Sequence, residues 1–138
     1  MTTTYPISAA YTDGQVLSAS NVNQIAGGVN DLAALQLNAQ TGTTYTLVLG
    51  DAAKTVTLTN ASAITLSVPT NASVAFAVGT QILLYQGGAG QVTVSAVTPG
   101  TTSIRSNGSK TKIAGQYGVV CLMKLATDEW VLFGNTTA

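Results

Sequence analysis

Lys54-Thr55-Val56-Thr57-Leu58-Thr59 alternates polar and apolar side chains from Thr55 onward. This period of two is that of a half-buried β-strand, with the valine and leucine on one face and the threonines on the other. The same alternation returns in residues 63–68 and in Gln91-Val92-Thr93-Val94-Ser95. Because turn sequences separate these runs, we expect residues 41–138 to form a β domain of short strands.

Turn signals in this region predict how the strands are connected. Gly87-Gly88-Ala89-Gly90 predicts a hairpin turn, and Asn107-Gly108 is the strongest hairpin signal in the chain. Residues 118–125 form the most apolar run and predict a buried central strand. Short strands at this turn spacing favour an antiparallel β-sandwich or a barrel-like domain, and we expect a mainly β fold of that kind.

The N-terminal part of the chain has a different pattern. Residues 1–17 are polar and contain Pro6, which predicts an extended anchoring arm. Residues 18–40 predict an amphipathic helical segment. Its apolar stripe has alternating spacings of three and four residues and consists of Val22, Ile25, Val29 and Leu32.

The apolar stripe needs a partner, because a short helix with glycines at positions 27 and 28 is marginal alone. It could lie on the β domain of its own chain, or it could form a short bundle between identical subunits. We expect the second arrangement, with Val22, Ile25, Val29 and Leu32 as the oligomer interface.

The composition excludes several classes of protein. Only 7% of the 138 residues are charged, the five basic and five acidic residues cancel, and histidine is absent. Such a chain lacks the basic surface of a nucleic-acid binder and has no histidine for metal binding or general-base catalysis. A single cysteine allows no internal disulfide, and no apolar run approaches the roughly 18 residues of a membrane span. The low charge indicates a surface largely covered by partner subunits.

The chemically active residues form no recognisable site. Asp128 and Glu129 are adjacent at a predicted hairpin tip, where acidic side chains are normally solvated, and Asp51 is expected to form a weak ion pair with Lys54. Cys121 lies in an apolar run and is expected to be buried. The sequence therefore predicts no enzyme, no catalytic residue, no metal site and no cofactor.

The aromatic residues of the β region leave two interpretations open. Aromatic side chains can pack in a core or interface, or they can form an exposed platform that binds sugars. For Tyr45, Tyr85, Tyr117 and Trp130 we favour packing, because aromatic residues make up only 6% of the chain. The alternative is a glycan platform, for which Tyr85 and Trp130 are the candidates.

Two parts of the chain resemble a family. The segment Val16-Leu17-Ser18-Ala19-Ser20-Asn21-Val22-Asn23 resembles the leader near the start of many tailed-phage fibre and appendage proteins. The β region is similar to a small domain of phage virion proteins. Its matching motifs, in order, are Tyr45-Thr46-Leu47, Asp51-Ala52-Ala53-Lys54, Val68-Pro69, Val78-Gly79-Thr80, Gln86 with the glycine-rich turn, Val92-Thr93-Val94 and Thr127-Asp128-Glu129-Trp130-Val131-Leu132.

The resemblance implies a function by assembly. It implies a virion structural protein, a short fibre or a capsid decoration protein, that is usually homotrimeric and has no enzymatic residues. The chain is shorter than a full fibre, which favours decoration of the capsid. The expected partners are further copies of the chain and other virion proteins, with no nucleic acid and no membrane. The expected location is the outer surface of a virion assembled in the host cytoplasm. The alternative function is a carbohydrate-binding adhesin that contacts a glycan on the host surface.

Overall fold

The computed structural model describes residues 36–138, and these residues form a mainly β structure. Eleven strands occur in this part of the chain, with short 3₁₀ turns at Leu49–Asp51 and Asn107–Ser109. The strands are β1 (Leu37–Gln40), β2 (Thr44–Thr46), β3 (Thr55–Leu58), β4 (Ile64–Val68), β5 (Gln81–Gln86), β6 (Val92–Ala96), β7 (Ser103–Ser106), β8 (Lys112–Ile113), β9 (Val119–Ala126), β10 (Glu129–Gly134) and β11 (Thr136–Thr137).

The strands form two mixed sheets. The six-stranded sheet has the order β1-β3-β5-β9-β10-β7, and the five-stranded sheet has the order β11-β8-β6-β4-β2. From β1 to β6 the chain enters the two sheets alternately, and each strand pairs in parallel with the strand two places before it. The first six strands therefore make three stacked turns of chain. From β7 onward the antiparallel pairs of β9 with β5 and β10, and of β8 with β6 and β11, complete both sheets.

One apolar core is shared by both sheets. Each strand turns alternate side chains inward, as a period of two requires. The inward residues of β3, β5, β9 and β10 join those of β4 and β6 in one cluster of buried side chains. That cluster contains Leu47, Val56, Leu58, Ile64, Leu66, Val68, Phe76, Ile82, Leu84, Val92, Val94, Ile113, Val120, Leu122, Trp130 and Leu132.

The turn between β5 and β6 lies directly against the turn between β3 and β4, and backbone hydrogen bonds join the two turns. The amide of Gly87 donates to the carbonyl of Leu58 at 2.8 Å, and the amide of Gly90 donates to the carbonyl of Asn60 at 2.8 Å. A side chain at position 90 would overlap the carbonyl oxygen of Ser62. Glycine is therefore required at position 90 because backbone lies where a Cβ atom would be.

The direction of strand pairing differs from the sequence-based prediction. Of the nine strand pairs within residues 36–138, five are parallel and four are antiparallel, so the prediction of an antiparallel fold is wrong although the mainly β class is confirmed. Neither of the two predicted hairpins forms. The turn at residues 87–90 and the turn at residues 107–109 each carry the chain from the six-stranded sheet to the five-stranded sheet.

The boundary of the β domain lies earlier than predicted. Residues 37–40, assigned from the sequence to the end of the helical segment, form β1 and pair with β3. The prediction of a central apolar strand is confirmed, because β9 lies between β5 and β10. The predicted arm at 1–17 and the rest of the predicted helix lie outside the described residues.

We expect Gly90→Ala to destabilise the protein. The new methyl group must displace the backbone of Ser62, and overpacking of this kind costs about 1–3 kcal/mol. Gly115→Ala is the matched control, because nothing lies within 4 Å of a Cβ atom built there. Urea unfolding monitored by circular dichroism measures both variants. Equal stability of the two variants would contradict the stacked-turn packing.

Candidate functional site

The structure places the two residues of the predicted glycan platform differently. Trp130 is 1% exposed and packs edge-to-face on Phe76, with 5.4 Å between ring centroids. It offers no ring face to a ligand, so the platform prediction is wrong at this residue. Tyr85 is half-buried and points outward from β5. The predicted interface residues Val22, Ile25, Val29 and Leu32 lie outside the described residues.

A buried amine lies beside Trp130. Lys124 is 2% exposed, and its Nζ donates to Oδ1 of Asn71 at 2.5 Å and to the carbonyl of Phe76 at 2.7 Å. The Nζ atom is 5.8 Å from the centroid of the Trp130 ring. Among residues 36–138, no carboxylate oxygen lies within 4.0 Å of this Nζ. Neutral oxygens and an aromatic ring thus surround the buried amine.

The turn between β9 and β10 holds Asn71 in place. Asp128 has a φ of 56°, and its Oδ1 accepts from the backbone amide of Asn71 at 2.7 Å. The same oxygen accepts from Oγ1 of Thr102 at 3.1 Å. The carboxylate predicted to be solvated at a hairpin tip therefore fixes a loop that is 57 residues away in sequence. Sequence reasoning missed this cluster because its members share no local spacing.

A second polar cluster lies in the first of the stacked turns that the structure describes. Asp51 is 1% exposed and accepts from Nδ2 of Asn38 at 2.7 Å, from the hydroxyl of Tyr45 at 2.8 Å and from the amide of Val48 at 2.9 Å. Three donors satisfy the buried carboxylate. The structure contains no Asp51–Lys54 ion pair within residues 36–138, so that prediction is wrong.

The cluster changes the acidity of Tyr45. Burial, followed by the hydrogen bond to Asp51 and the charge of Asp51, raises the pKa of Tyr45 from 10.0 to about 12. The protonated hydroxyl can donate to the carboxylate, whereas a phenolate would face it as a like charge. Tyr45 on β2 and Asn38 on β1 thereby join the first strands of the two sheets through one acid.

The outer faces of the two sheets differ in polarity. In the five-stranded sheet the outward positions of β2, β4 and β6 are Thr44, Thr46, Thr65, Ser67, Thr93 and Ser95. In the six-stranded sheet the outward positions of β5, β9 and β10 are mostly apolar. We call this second surface the apolar face, and it consists of Leu83, Tyr85, Val119, Cys121, Met123, Val131 and Phe133.

Strand register arranges the apolar face in rows. One row crosses five strands and contains Leu37, Thr55, Leu83, Cys121 and Phe133. Phe133 is 48% exposed and Val119 is 43% exposed, whereas Cys121 is only 8% exposed. Burial raises the pKa of the Cys121 thiol, which disfavours the nucleophilic thiolate and confirms that this cysteine is a buried apolar residue.

The remaining charged residues form no further centre in the described region. Glu129 pairs with Arg105 at 3.0 Å on the surface, where such pairs contribute little to stability. No group of three or more cysteine, aspartate or glutamate residues in residues 36–138 is arranged to hold a metal ion. No helix within these residues is both long enough and apolar enough to cross a membrane.

The stability of the protein should fall as the pH rises from 10 to 12. Folding raises the pKa of Tyr45, so as the pH rises Tyr45 loses its proton in the unfolded chain before it does so in the folded chain. This ionisation stabilises the unfolded state, and the unfolding free energy therefore falls across this interval. Tyr45→Phe should reduce this dependence and lower the unfolding free energy at neutral pH by about 1 kcal/mol through loss of the hydrogen bond. Tyr117→Phe, at a 68% exposed position, is the control. Urea unfolding at several pH values measures the effect, and identical pH profiles for the wild type and Tyr45→Phe would refute it.

Comparisons with known proteins add no assignment. No protein family, no curated protein and no solved structure matches this chain. The case for a function therefore depends on the residues and geometry described above.

Proposed function

We propose that this chain is a bacteriophage virion structural protein, a short fibre or a trimeric capsid decoration protein that acts by assembling onto the particle. The proposal assigns the two mixed sheets to a β-sandwich, with the apolar face packed against a second copy of the chain. The resemblance to phage appendage proteins supports the virion role and an assembly of three subunits. The apolar face is the structural observation that carries the assembly role.

The apolar face has the dimensions of an interaction surface. The three strands that carry the apolar face, β5, β9 and β10, occupy a width of about 14 Å, because neighbouring strands lie about 4.8 Å apart. Three rows extend about 14 Å along the strands, which makes a patch of a few hundred Å². The largest apolar patch on a soluble monomer is typically about 300–600 Å² and is often functional, and the apolar face is of this order.

The charge on the apolar face favours a second copy as the occupant. None of the outward side chains of β5 and β9 is charged, and on β10 only Glu129 is charged, where it is already paired with Arg105. A charged partner would find no complementary group there. A second copy brings an equally uncharged surface and leaves no charge buried without a partner.

One observation favours the alternative role as an adhesin. Tyr117 is 68% exposed, and its backbone amide donates to the carbonyl of Gln86, the residue after Tyr85. These two tyrosines could present rings to a host glycan in place of the buried Trp130. Tyr85 belongs to the apolar face, so glycan binding at this residue competes with assembly through the same surface.

Phe133→Asp should weaken self-association while leaving the chain folded. The ring is 48% exposed and makes no part of the buried core, so the new charge affects mainly the contact between copies. We expect at least about a tenfold weaker association. Thr65→Asp places the same charge on the outer face of the other sheet and serves as the control. Light scattering over a range of concentrations compares the variants, and a wild-type mass equal to the single chain of 13.9 kDa would refute the assembly role.

The virion role predicts that the protein copurifies with phage particles. Negative-stain microscopy of particles labelled with an antibody to the chain should show it on the outer surface. Purified protein should give no signal on a glycan array. Glycan binding that Tyr117→Ala removes, together with unlabelled particles, would replace the virion role with that of an adhesin.

A further inference from the structure

We propose that Lys124 and Asn71 become joined by an intramolecular isopeptide bond. The Nζ atom of Lys124 lies 2.5 Å from Oδ1 of Asn71. Because a C=O bond is about 1.23 Å long, Nζ is within about 3.7 Å of the Asn71 Cγ atom. This is close to the separation of about 3–3.5 Å from which an oriented nucleophile attacks. The buried amine has no role in the proposed assembly, and the inference does not rest on it.

The reaction is an amide exchange that needs no further reactant. One proton first leaves the Lys124 ammonium, the lone pair freed on Nζ then forms the bond to Cγ of Asn71, and the bond from Cγ to Nδ2 breaks. Two hydrogens of the lysine ammonium pass to the departing nitrogen, which leaves as an ammonium ion. The positive charge of Lys124 leaves with it, and nothing is oxidised or reduced.

The surroundings of the amine favour the product. An ammonium at this position is buried, with no carboxylate oxygen of residues 36–138 within 4.0 Å to balance it. Burying an ion without a partner is unfavourable, and the reaction removes the ion. The one hydrogen left on Nζ can still donate to the carbonyl of Phe76, now 2.7 Å away. The product amide thus keeps a hydrogen-bond partner in the core.

A hydrogen bond from its backbone amide holds Asn71 in position for the reaction. Asp128 accepts from its amide at 2.7 Å, and Thr102 donates to the same carboxylate oxygen at 3.1 Å. The buried Trp130 ring lies 5.8 Å from the amine and packs against the buried Phe76 ring, and Lys124 itself is only 2% exposed, so the amine is shielded from water. The Lys124 amine and the Asn71 side-chain amide are thus already oriented in a site shielded from water, and they need little rearrangement to react.

Intact-mass spectrometry of the denatured full-length chain tests the proposal. The wild type should weigh about 17 Da less than its sequence, the mass of one ammonia molecule. Lys124→Arg and Asn71→Ala should each show the unmodified mass of their own sequence. Lys110→Arg, at an exposed lysine, is the matched control and should keep the loss. A wild-type mass equal to that of the sequence would overturn the proposal.

A succinimide at Asn107-Gly108 would cause the same mass loss and must be separated from the isopeptide bond. Peptide mapping of the wild type separates them and does not depend on the folding of any variant. Trypsin should release residues 55–105 covalently attached to residues 113–138, with no cleavage after the acylated Lys124. A mass loss located instead in the peptide that contains Asn107 would refute the cross-link.

Discussion

The turn between β5 and β6 can lie against the turn between β3 and β4 only because positions 88 and 90 carry no side chain. Backbone atoms of residues 60–62 occupy the space where Cβ atoms would be. This contact lets the two turns stack at the same spacing as the strands they join, which pair in parallel as β3 with β5 and β4 with β6. With the register set, Val56 aligns with Leu84 and Leu66 aligns with Val94, so the inward side chains meet in one core.

Most strands of residues 41–138 were predictable from the sequence, whereas β1 and the pairing of the strands were not. A period of two shows which side chains of residues 55–58 and 64–68 point inward, but it is the same for parallel and antiparallel neighbours. Gly87-Gly88-Ala89-Gly90 predicts a hairpin because glycine-rich turns usually join strands of one sheet. Here the glycines serve a close approach between successive turns of chain. Asn107-Gly108 similarly supplies a positive φ at Gly108 for a 3₁₀ turn between the sheets.

The polar clusters were harder to predict because they join residues that are distant in sequence. Asp51 has Lys54 three residues away, which made a local ion pair the natural expectation. In the fold, the same carboxylate instead satisfies Asn38 and Tyr45 at the end of the core. At this end the register places Asn38 beside Val56, and Tyr45 beside Leu66. Within residues 36–138, a polar first layer thus lies at the end of the apolar stack, in the position of the capping repeat of longer stacked proteins.

The Lys124 cluster lies where the two parts of the fold meet. Asn71 follows the fourth strand of the stacked turns, whereas Lys124 and Asp128 belong to the antiparallel strands that complete the six-stranded sheet. Their contacts join residues 53 and 57 positions apart, so they form only after a long loop of chain has closed. The apolar face crosses the same junction, since Leu83 comes from the stack and Phe133 from the antiparallel part. Its rows are therefore complete only in a chain that has already folded, so the assembly that we propose through this face follows folding.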